Sequence, residues 1–539
     1  MKKAKNTNKL LALCRKILWF LKSRYFFAAF CIVLEFVEIL TVFSFLYKYF
    51  FPITVAGKLF NAGVLLYLIN REETPEFKLP WTFLMLVVPV MGAFAFVVLS
   101  STENSRDLQK RHRASAAKLA PYLKRKDQTE LLSEEADREA RLQAAYLQRA
   151  AGMPCCGNTQ ITYYRTGQEF YQALLESLER AEQFIFMEYF IIESGSMWDP
   201  IYEVLQRKAA QGVEVCLMYD DIGCMGTLPS RYDRIVRRDG IRCMVSNRFR
   251  PVLSNVHNNR DHRKITVIDG NTGFTGGINL ADEYINAVEK FGYWKDTAVK
   301  LEGDAVGSLT ALFLSFWNTQ CEKTEDTLDY GIYMETSEDT LDYGIYMETS
   351  EEKKTGEGAV IPFGDGPDLL YPESIGKNVY LNIIHTAREY LYITSPYLIC
   401  DHEILNSLRL AAGKGVDVRI IVPHIPDKQI VFLMTQSNYP SLIQAGVKIY
   451  EYTPGFIHAK NFVCDDRFAV CGTINLDYRS LAHHYECGVW MYRTGCIGNM
   501  KEDFRKTLEA SQEILLEQAR LKLWKRLPAE TLKLFTPLF

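Results

Sequence analysis

The stretch His262-Arg263-Lys264-Ile265-Thr266-Val267-Ile268-Asp269, followed by Gly276-Gly277-Ile278-Asn279, has a counterpart later in the chain. There the sequence reads His458-Ala459-Lys460-Asn461-Phe462-Val463-Cys464-Asp465, followed by Gly472-Thr473-Ile474-Asn475. Both copies keep one spacing: two residues from His to Lys, five more to Asp, ten more to Asn. One H-x-K is weak; two in phase, 196 residues apart in a chain with nine histidines, are not coincidence. The residues between Lys and Asp read as a β-strand, along which side chains alternate faces. His262 and Lys264 then share a face, as do His458 and Lys460. Asp269 and Asp465 lie at odd offset and point the other way, as turn or hydrogen-bonding groups at the strand end. The glycines allow close backbone approach, and Asn279 and Asn475 supply amide donors. Two His, two Lys and two Asn converging from two halves make a phosphate-binding, metal-free pocket. One imidazole can attack phosphorus while the other protonates the leaving oxygen.

The surroundings of the motifs are duplicated too. A helix over 169–181 leads into Phe184-Ile185-Phe186-Met187-Glu188-Tyr189, then a helix ending at Gly212, then a strand over 213–219. The second half repeats this with a helix over 376–388, a β-rich run over 390–397, a helix ending at Gly415 and a strand over 416–422. Strand, helix, glycine stop and strand in the same order predict a duplicated α/β domain. Its partly parallel, mixed sheets are flanked by helices, with a pseudo-twofold between the halves.

The 539 residues carry 62 Lys+Arg against 65 Asp+Glu, a formal net charge of −3, which gives no support to nucleic-acid binding by bulk electrostatics. With 48% hydrophobic and 24% charged residues, global disorder is excluded. Thirteen scattered cysteines without a C-x-x-C pair suggest neither a zinc site nor a disulfide framework, and read as free thiols. The boundaries that follow are a membrane-anchoring apolar region over 1–100, a charged helical connector over 101–157 and a first α/β domain over 158–321. An acidic linker follows over 322–358, then a second α/β domain over 359–500 and an amphipathic segment over 501–539. The linker holds a literal tandem repeat, EDTLDYGIYMETS at 325–337 and again at 338–350. Eleven acids and one lysine over 322–352 mark it as a solvated segment away from any phosphate site.

Apolar stretches at 26–47, 53–69 and 80–99 set the membrane expectation. The first and third are long enough to cross as helices; the second carries Lys58 and Asn61 and is read as interfacial or re-entrant. Residues 1–24 hold eight Lys/Arg and no acid, and 101–126 hold eight more against two acids, so both flanks favour the cytoplasm. That requires an even number of crossings and places the catalytic part inside. Glu35 and Glu38 share a helix face in the first stretch; they are read first as lying near a headgroup region or facing another helix, and otherwise as calling for a partner or a polar cavity. The segment from 504 to 539 lies at the bilayer surface or packs on the second domain; its amphipathic spacing fits both.

The paired H-x-K-x4-D motifs resemble those of the phospholipase D superfamily, and within it the bacterial cardiolipin synthases. The likeness covers nearly the whole chain. It extends to the apolar segments ahead of the catalytic part and to Tyr293-Trp294-Lys295-Asp296, Gly366-Pro367-Asp368 and Ser395-Pro396-Tyr397. It also takes in Asn475-Leu476-Asp477-Tyr478-Arg479-Ser480 and Thr536-Pro537-Leu538. Where that superfamily usually has Gly-Ser, the second motif here has Gly472-Thr473, keeping a hydroxyl, and the first has Gly277. The resemblance implies a membrane-bound phosphatidyltransferase that converts two phosphatidylglycerol molecules into cardiolipin and glycerol through a phosphohistidine. It implies His262 as nucleophile and His458 as acid and then base, assignments that a pseudo-twofold site leaves reversible. Lys264, Lys460, Asn279 and Asn475, with Thr473 and Gly277, would surround the phosphoryl group. Asp269 and Asp465 count as part of the site with an indirect role. Asp296 and Glu486 would each orient a histidine by accepting its other ring N–H. No cofactor or metal is implied, since one phosphodiester replaces another. The partners are phosphatidylglycerol and membrane lipids, not nucleic acid, in a multi-pass protein of the bacterial cell membrane, with homo-oligomers allowed. A phospholipid hydrolase is the competing reading within the superfamily; a nucleic-acid phosphodiesterase and an inactive scaffold are the others.

Overall fold

A computed structural model describes residues 33–38, 47–99, 103–124, 138–248, 259–321, 326–334, 358–367 and 373–538, with single positions at 128, 130, 132 and 371. The chain divides into two compact units: 1–106 with 249–258 and 531–539, and 107–248 with 259–530.

The larger unit holds two sheets. The first half supplies β1 (Thr159–Tyr164), β2 (Phe184–Tyr189), β3 (Glu214–Asp220), β4 (Arg242–Ser246), β5 (Lys264–Ile268), β6 (Thr272–Gly276), β7 (Tyr293–Lys295) and β8 (Ala298–Gly303). The second supplies β9 (Ala359–Asp365), β10 (Tyr390–Thr394), β11 (Leu398–Ile399), β12 (Asp417–Pro423), β13 (Lys448–Tyr452) and β14 (Gly455–Ile457). It continues with β15 (Asn461–Cys464), β16 (Phe468–Gly472), β17 (Leu476–Asp477), β18 (Glu486–Tyr492) and β19 (Ser511–Glu513). The first sheet runs β1-β8-β6-β5-β2-β3-β4. The second, read from its far edge, runs β9-β18-β16-β15-β10-β12-β13 with β19 added at the end. Strand for strand the orders coincide. In both, the three strands after the motif strand pair in parallel, β2-β3-β4 and β10-β12-β13, while the rest is antiparallel. The sheets are therefore mixed and the duplication is structural.

Local chemistry explains the recurrence. Strands β2, β5, β10 and β15 are almost wholly buried, as apolar runs covered on both faces should be. The helices Trp198–Ala210 and His402–Gly413 each give way to a strand through a glycine of positive φ, Gly212 at +93° and Gly415 at +95°. A side chain would be strained in that backbone conformation. Asp269 and Asp465, themselves at φ +50° and +51°, each accept from three successive backbone N–H groups at the head of the neighbouring strand. For Asp269 these are Glu182, Gln183 and Phe184 at 2.8, 2.8 and 2.9 Å. For Asp465 they are Arg388, Glu389 and Tyr390 at 2.8, 3.0 and 2.8 Å.

Two helices lock the halves together in the same crossed manner. Helix Val306–Gln320 follows β8 and packs on β5 and on β9 of the other half; it is buried almost all round. Helix Cys496–Glu509 follows β18 and packs on β10, β15 and β1, where the Tyr163 hydroxyl donates to Asp503 at 2.8 Å. The early part of the C-terminal segment is thus docked on the second sheet, with β19 paired antiparallel to β13. Leu523, Trp524 and Leu527 further on are exposed.

Three sequence expectations change. The segment at 101–157 is helical over Glu103–Lys124 and Arg138–Ala151, but the second helix is built into the catalytic unit: Gln143 donates to Thr386 and accepts from the Trp490 indole. In the acidic segment, Leu328, Tyr330 and Met334 of the first repeat copy are buried, and Tyr333 donates to Glu214 at 2.6 Å. Its apolar residues dock on the first sheet despite the surrounding acids. The second copy, 338–350, lies outside the described residues. Among the described residues of the smaller unit, the one helix long and apolar enough to cross a membrane is Phe51–Asn70, which contains the stretch expected to be interfacial. The stretch at 80–99 is instead divided between helices Pro75–Val87 and Pro89–Leu99, because Pro89 disfavours helical backbone at Val88. Helices Tyr47–Asn70, Pro75–Val87 and Pro89–Leu99 pack around Val64, Leu68, Met85 and Phe96. The stretch at 26–47 lies almost entirely outside the described residues. All eleven described cysteines are free thiols and buried.

Candidate active site

The end of β5 and the end of β15 meet through short interleaved segments that obey one register. Ile457, just before His458, pairs with Lys295, just before Asp296, through the parallel β14–β7 ladder. Asp261, just before His262, pairs in parallel with Tyr485, just before Glu486. The backbone N–H of His262 donates to Tyr485 O at 2.9 Å, and that of His458 to Lys295 O at 2.7 Å. Each histidine is therefore seated by the other half of the chain.

The carboxylates follow the same crossing. Glu486 places both oxygens 3.0 Å from His262 Nδ1, and Asp296 Oδ2 lies 2.6 Å from His458 Nδ1. With Nδ1–H donating to a carboxylate, each ring keeps its lone pair on Nε2. Asp296 and Glu486 are wholly buried, and the histidines and lysines nearly so. Burial would raise Glu486, but the hydrogen bonds of His262 and the proximity of the His262 and His484 rings outweigh it and hold the carboxyl well below its usual range. Asp296 is likewise lowered: His458 and Lys460 overcome the effect of burial. Burial pushes His262 down to about 3 and His458 to about 4, so both imidazoles are neutral in the empty site at neutral pH. Burial also lowers Lys264 to about 8 and Lys460 to about 7, and the charge of Lys264 contributes to the shift of Lys460. The two ammonium groups thus share one electrostatic field. Each donates to the carbonyl of its own motif histidine, Lys264 at 2.5 Å.

The other expected residues are distributed around this centre. Asn279 accepts from Ile191 N–H at 3.0 Å and donates to the Tyr284 hydroxyl at 2.6 Å, leaving one amide hydrogen uncommitted. Asn475 is buried with its Oδ1 unpartnered. Thr473 directs its hydroxyl to Glu486 Oε2, so it braces the carboxylate. Gly277 lies under Asp296: a Cβ there would stand 2.1 Å from Asp296 Oδ1. Asp269 and Asp465 are the exception, at the opposite ends of their strands on backbone amides, as their odd offset implies. Arg263, between the motif His and Lys, faces away from the site, paired with Glu188 at 2.5 Å and over the Phe316 ring at 4.2 Å.

Several site residues carry no motif. Phe190 lies edge-on to His262 at 5.1 Å and under Lys264 Nζ at 5.4 Å. Tyr284, Trp294 and Phe456 surround His458 at 5.6, 5.5 and 5.9 Å. His484 sits 5.5 Å from His262, ring to ring. It lies two residues from Glu486 on extended backbone, hence on the same face, a signal open to the sequence. Ligand atoms of His262, His484 and Glu486 lie within 4.8 Å of one another, a spacing a cation could bridge, but two adjacent ammonium groups oppose a dication. What the arrangement offers is two imidazoles, each oriented by a buried carboxylate, beside two lysines that feel one another's charge.

A family model described as cardiolipin synthase, PLD-like domain, matches residues 380–508. A cardiolipin synthase of Halalkalibacterium halodurans is 31% identical over 481 residues, 88% of this chain and 91% of that protein. An uncharacterised protein of Streptococcus mutans is 41% identical, covering 84% of this chain and 94% of its own. A crystal structure of phosphatidylserine synthase from Haemophilus influenzae superposes with a TM-score of 0.52 at 16% identity. It covers 74% of this chain and 98% of that one, a likeness of fold.

Proposed function

The chain belongs to the cardiolipin synthase family of phosphatidyltransferases, and from that premise we propose that it joins two phosphatidylglycerol molecules into cardiolipin and glycerol at the centre shared by His262 and His458. His262 Nε2 attacks the phosphorus of the first lipid. The bond from phosphorus to the glycerol oxygen breaks, and His458 gives that oxygen a proton. The departing glycerol leaves a phosphatidyl group on His262. A terminal hydroxyl of the second lipid then loses its proton to His458 and attacks the same phosphorus, releasing His262 and forming cardiolipin. One phosphodiester is exchanged for another, so the energy of the bond is conserved.

The observation that supports this reading is the crossed pair of His–carboxylate contacts, by which each half of the chain orients the other half's histidine and leaves its Nε2 lone pair available. Both rings start neutral, but the incoming anion supplies a charge that favours an imidazolium, enabling His458 to act as an acid. Lys264 and Lys460 exchange their carbonyl partners for phosphoryl oxygens, assisted by the free amide hydrogen of Asn279 and by Asn475. Asp269 and Asp465 act at a distance by fixing the ends of the motif strands. The duplicated domains over 158–321 and 359–500 thus contribute half a site each. Water has to be kept from the phosphatidyl-histidine, and the burial of the site serves that end.

The basic flanks at 1–24 and 101–126 support an even number of crossings with the catalytic part in the cytoplasm, and a reporter on the C-terminus tests that topology. The activity is tested with purified protein and phosphatidylglycerol alone. Cardiolipin and glycerol should form in equal amounts; phosphatidic acid accumulating without cardiolipin would make the protein a hydrolase.

A further inference from the structure

His484 is a third imidazole in the pocket, and the exchange of phosphodiesters described above gives it no task. It is 7% exposed and has both ring nitrogens buried without a hydrogen-bond partner. Buried polar atoms are rarely left in that state; a bound water or a ligand usually completes them. Its Nδ1 lies 3.6 Å from Glu486 Oε1, the oxygen that also receives His262, just beyond hydrogen-bonding distance. Glu486 is already met by His262 and by the Thr473 hydroxyl, so its orientation does not depend on His484.

The chemistry of the wall narrows what the ring could meet. Lys264 and Lys460 are donors only, and the free hydrogen of Asn279 is also a donor, which suits phosphoryl oxygens. A hydroxyl hydrogen needs a lone pair. The lone pairs on His262 Nε2 and His458 Nε2 are committed to attack and to proton transfer, which leaves as unpartnered side-chain acceptors at the site Asn475 Oδ1, whose amide is turned to the phosphoryl group, and the His484 ring. In the tautomer that turns its Nδ1–H towards Glu486, His484 keeps a lone pair on Nε2. This is an acceptor within a ring's width of the nucleophile.

We propose that His484 is a specificity-determining residue: its Nε2 accepts a hydrogen bond from a hydroxyl of the glycerol headgroup and so selects a polyol phosphodiester. The proposal rests on the phosphatidylglycerol reading of the site and names the side chain that recognises its headgroup. Lipids whose headgroup lacks a hydroxyl would leave this nitrogen unpaired and bind less well.

The test is steady-state kinetics of the full-length protein in phosphatidylglycerol vesicles, with free glycerol as product inhibitor, for wild type and His484→Phe. The phenylalanine keeps the ring and removes both nitrogens. KM and the glycerol inhibition constant should each rise about five- to tenfold, with kcat within about twofold, as expected for one lost hydrogen bond to the headgroup. An unchanged KM overturns the proposal, whatever happens to kcat; a fall in kcat alone would mean that the ring only props Glu486. Should His484→Phe fail to fold, His484→Leu is measured in the same way. Wild-type protein that makes no cardiolipin would defeat the activity itself, a separate outcome visible before any variant is compared.

Discussion

Gly277 shows how little latitude the site has at the scale of single residues. A methyl group there would stand 2.1 Å from Asp296 Oδ1, so Gly277→Ala has to displace the carboxylate that orients His458. The variant should fold normally by circular dichroism and lose about 100-fold or more in kcat, by the size of general acid–base effects. Thr473, at the equivalent place in the other half, has room for its side chain and directs the hydroxyl to the carboxylate, so the two halves brace their carboxylates differently. The lysines determine the pH response. Both must be protonated to hold the phosphodiester, and burial brings Lys264 to about 8 and Lys460 to about 7, below their ordinary 10.5. A cation with a lowered pKa is present at low pH and lost as pH rises. The value of kcat/KM should therefore decline as pH rises through about 7 to 8, and a profile flat to pH 10 would contradict this. His262, Lys264, His458 and Lys460 were legible in the sequence because duplicated spacing repeats them in phase. Phe190 and Tyr284 were not, since each belongs to a segment whose approach to the motif depends on the fold; His484 shares a face with Glu486 by its offset of two, but its counterpart before Asp296 is Trp294, so no duplicated spacing marks it.

Elements were legible where local pattern and burial agree. The motif strands, the glycine-ended helices and the mixed sheets follow from apolar runs and stops, and Asp269 and Asp465 from their odd offset. The apolar N-terminal helices were read less well. Length and the presence of Lys58 and Asn61 ranked the stretch at 80–99 above that at 53–69, but Pro89 splits the former, while Lys58 and Asn61 are accommodated in an uninterrupted helix. The acidic linker was misjudged for a related reason. Its charge density hid Leu328, Tyr330 and Met334, whose burial against the first sheet outweighs the cost of bringing the acids close. Because 325–337 already supplies these contacts, deletion of 338–350 should leave both the thermal unfolding midpoint and cardiolipin formation within experimental error of the full chain. Loss of activity with the fold intact would instead assign the duplicate a regulatory role.

Across the whole catalytic unit, one relation recurs at every level. Strand orders coincide, the helix after each half's last sheet strand packs on the other half, and each motif histidine is held by the other half's backbone and carboxylate. That crossing was only partly legible. The family resemblance pointed to Asp296 and Glu486 as orienting groups, but which histidine each serves depends on the interleaving of β7 with β14 and of Asp261 with Tyr485. A half-chain carries neither a complete histidine seat nor a complete cation pair. The direct measurement is to quench the protein during turnover of phosphatidylglycerol radiolabelled in its phosphate, under alkaline conditions that preserve phosphohistidine, and map the label. One phosphatidyl group per chain on His262, absent from His262→Ala, is the predicted result; cardiolipin formed at full rate with no label on either His262 or His458 would contradict it.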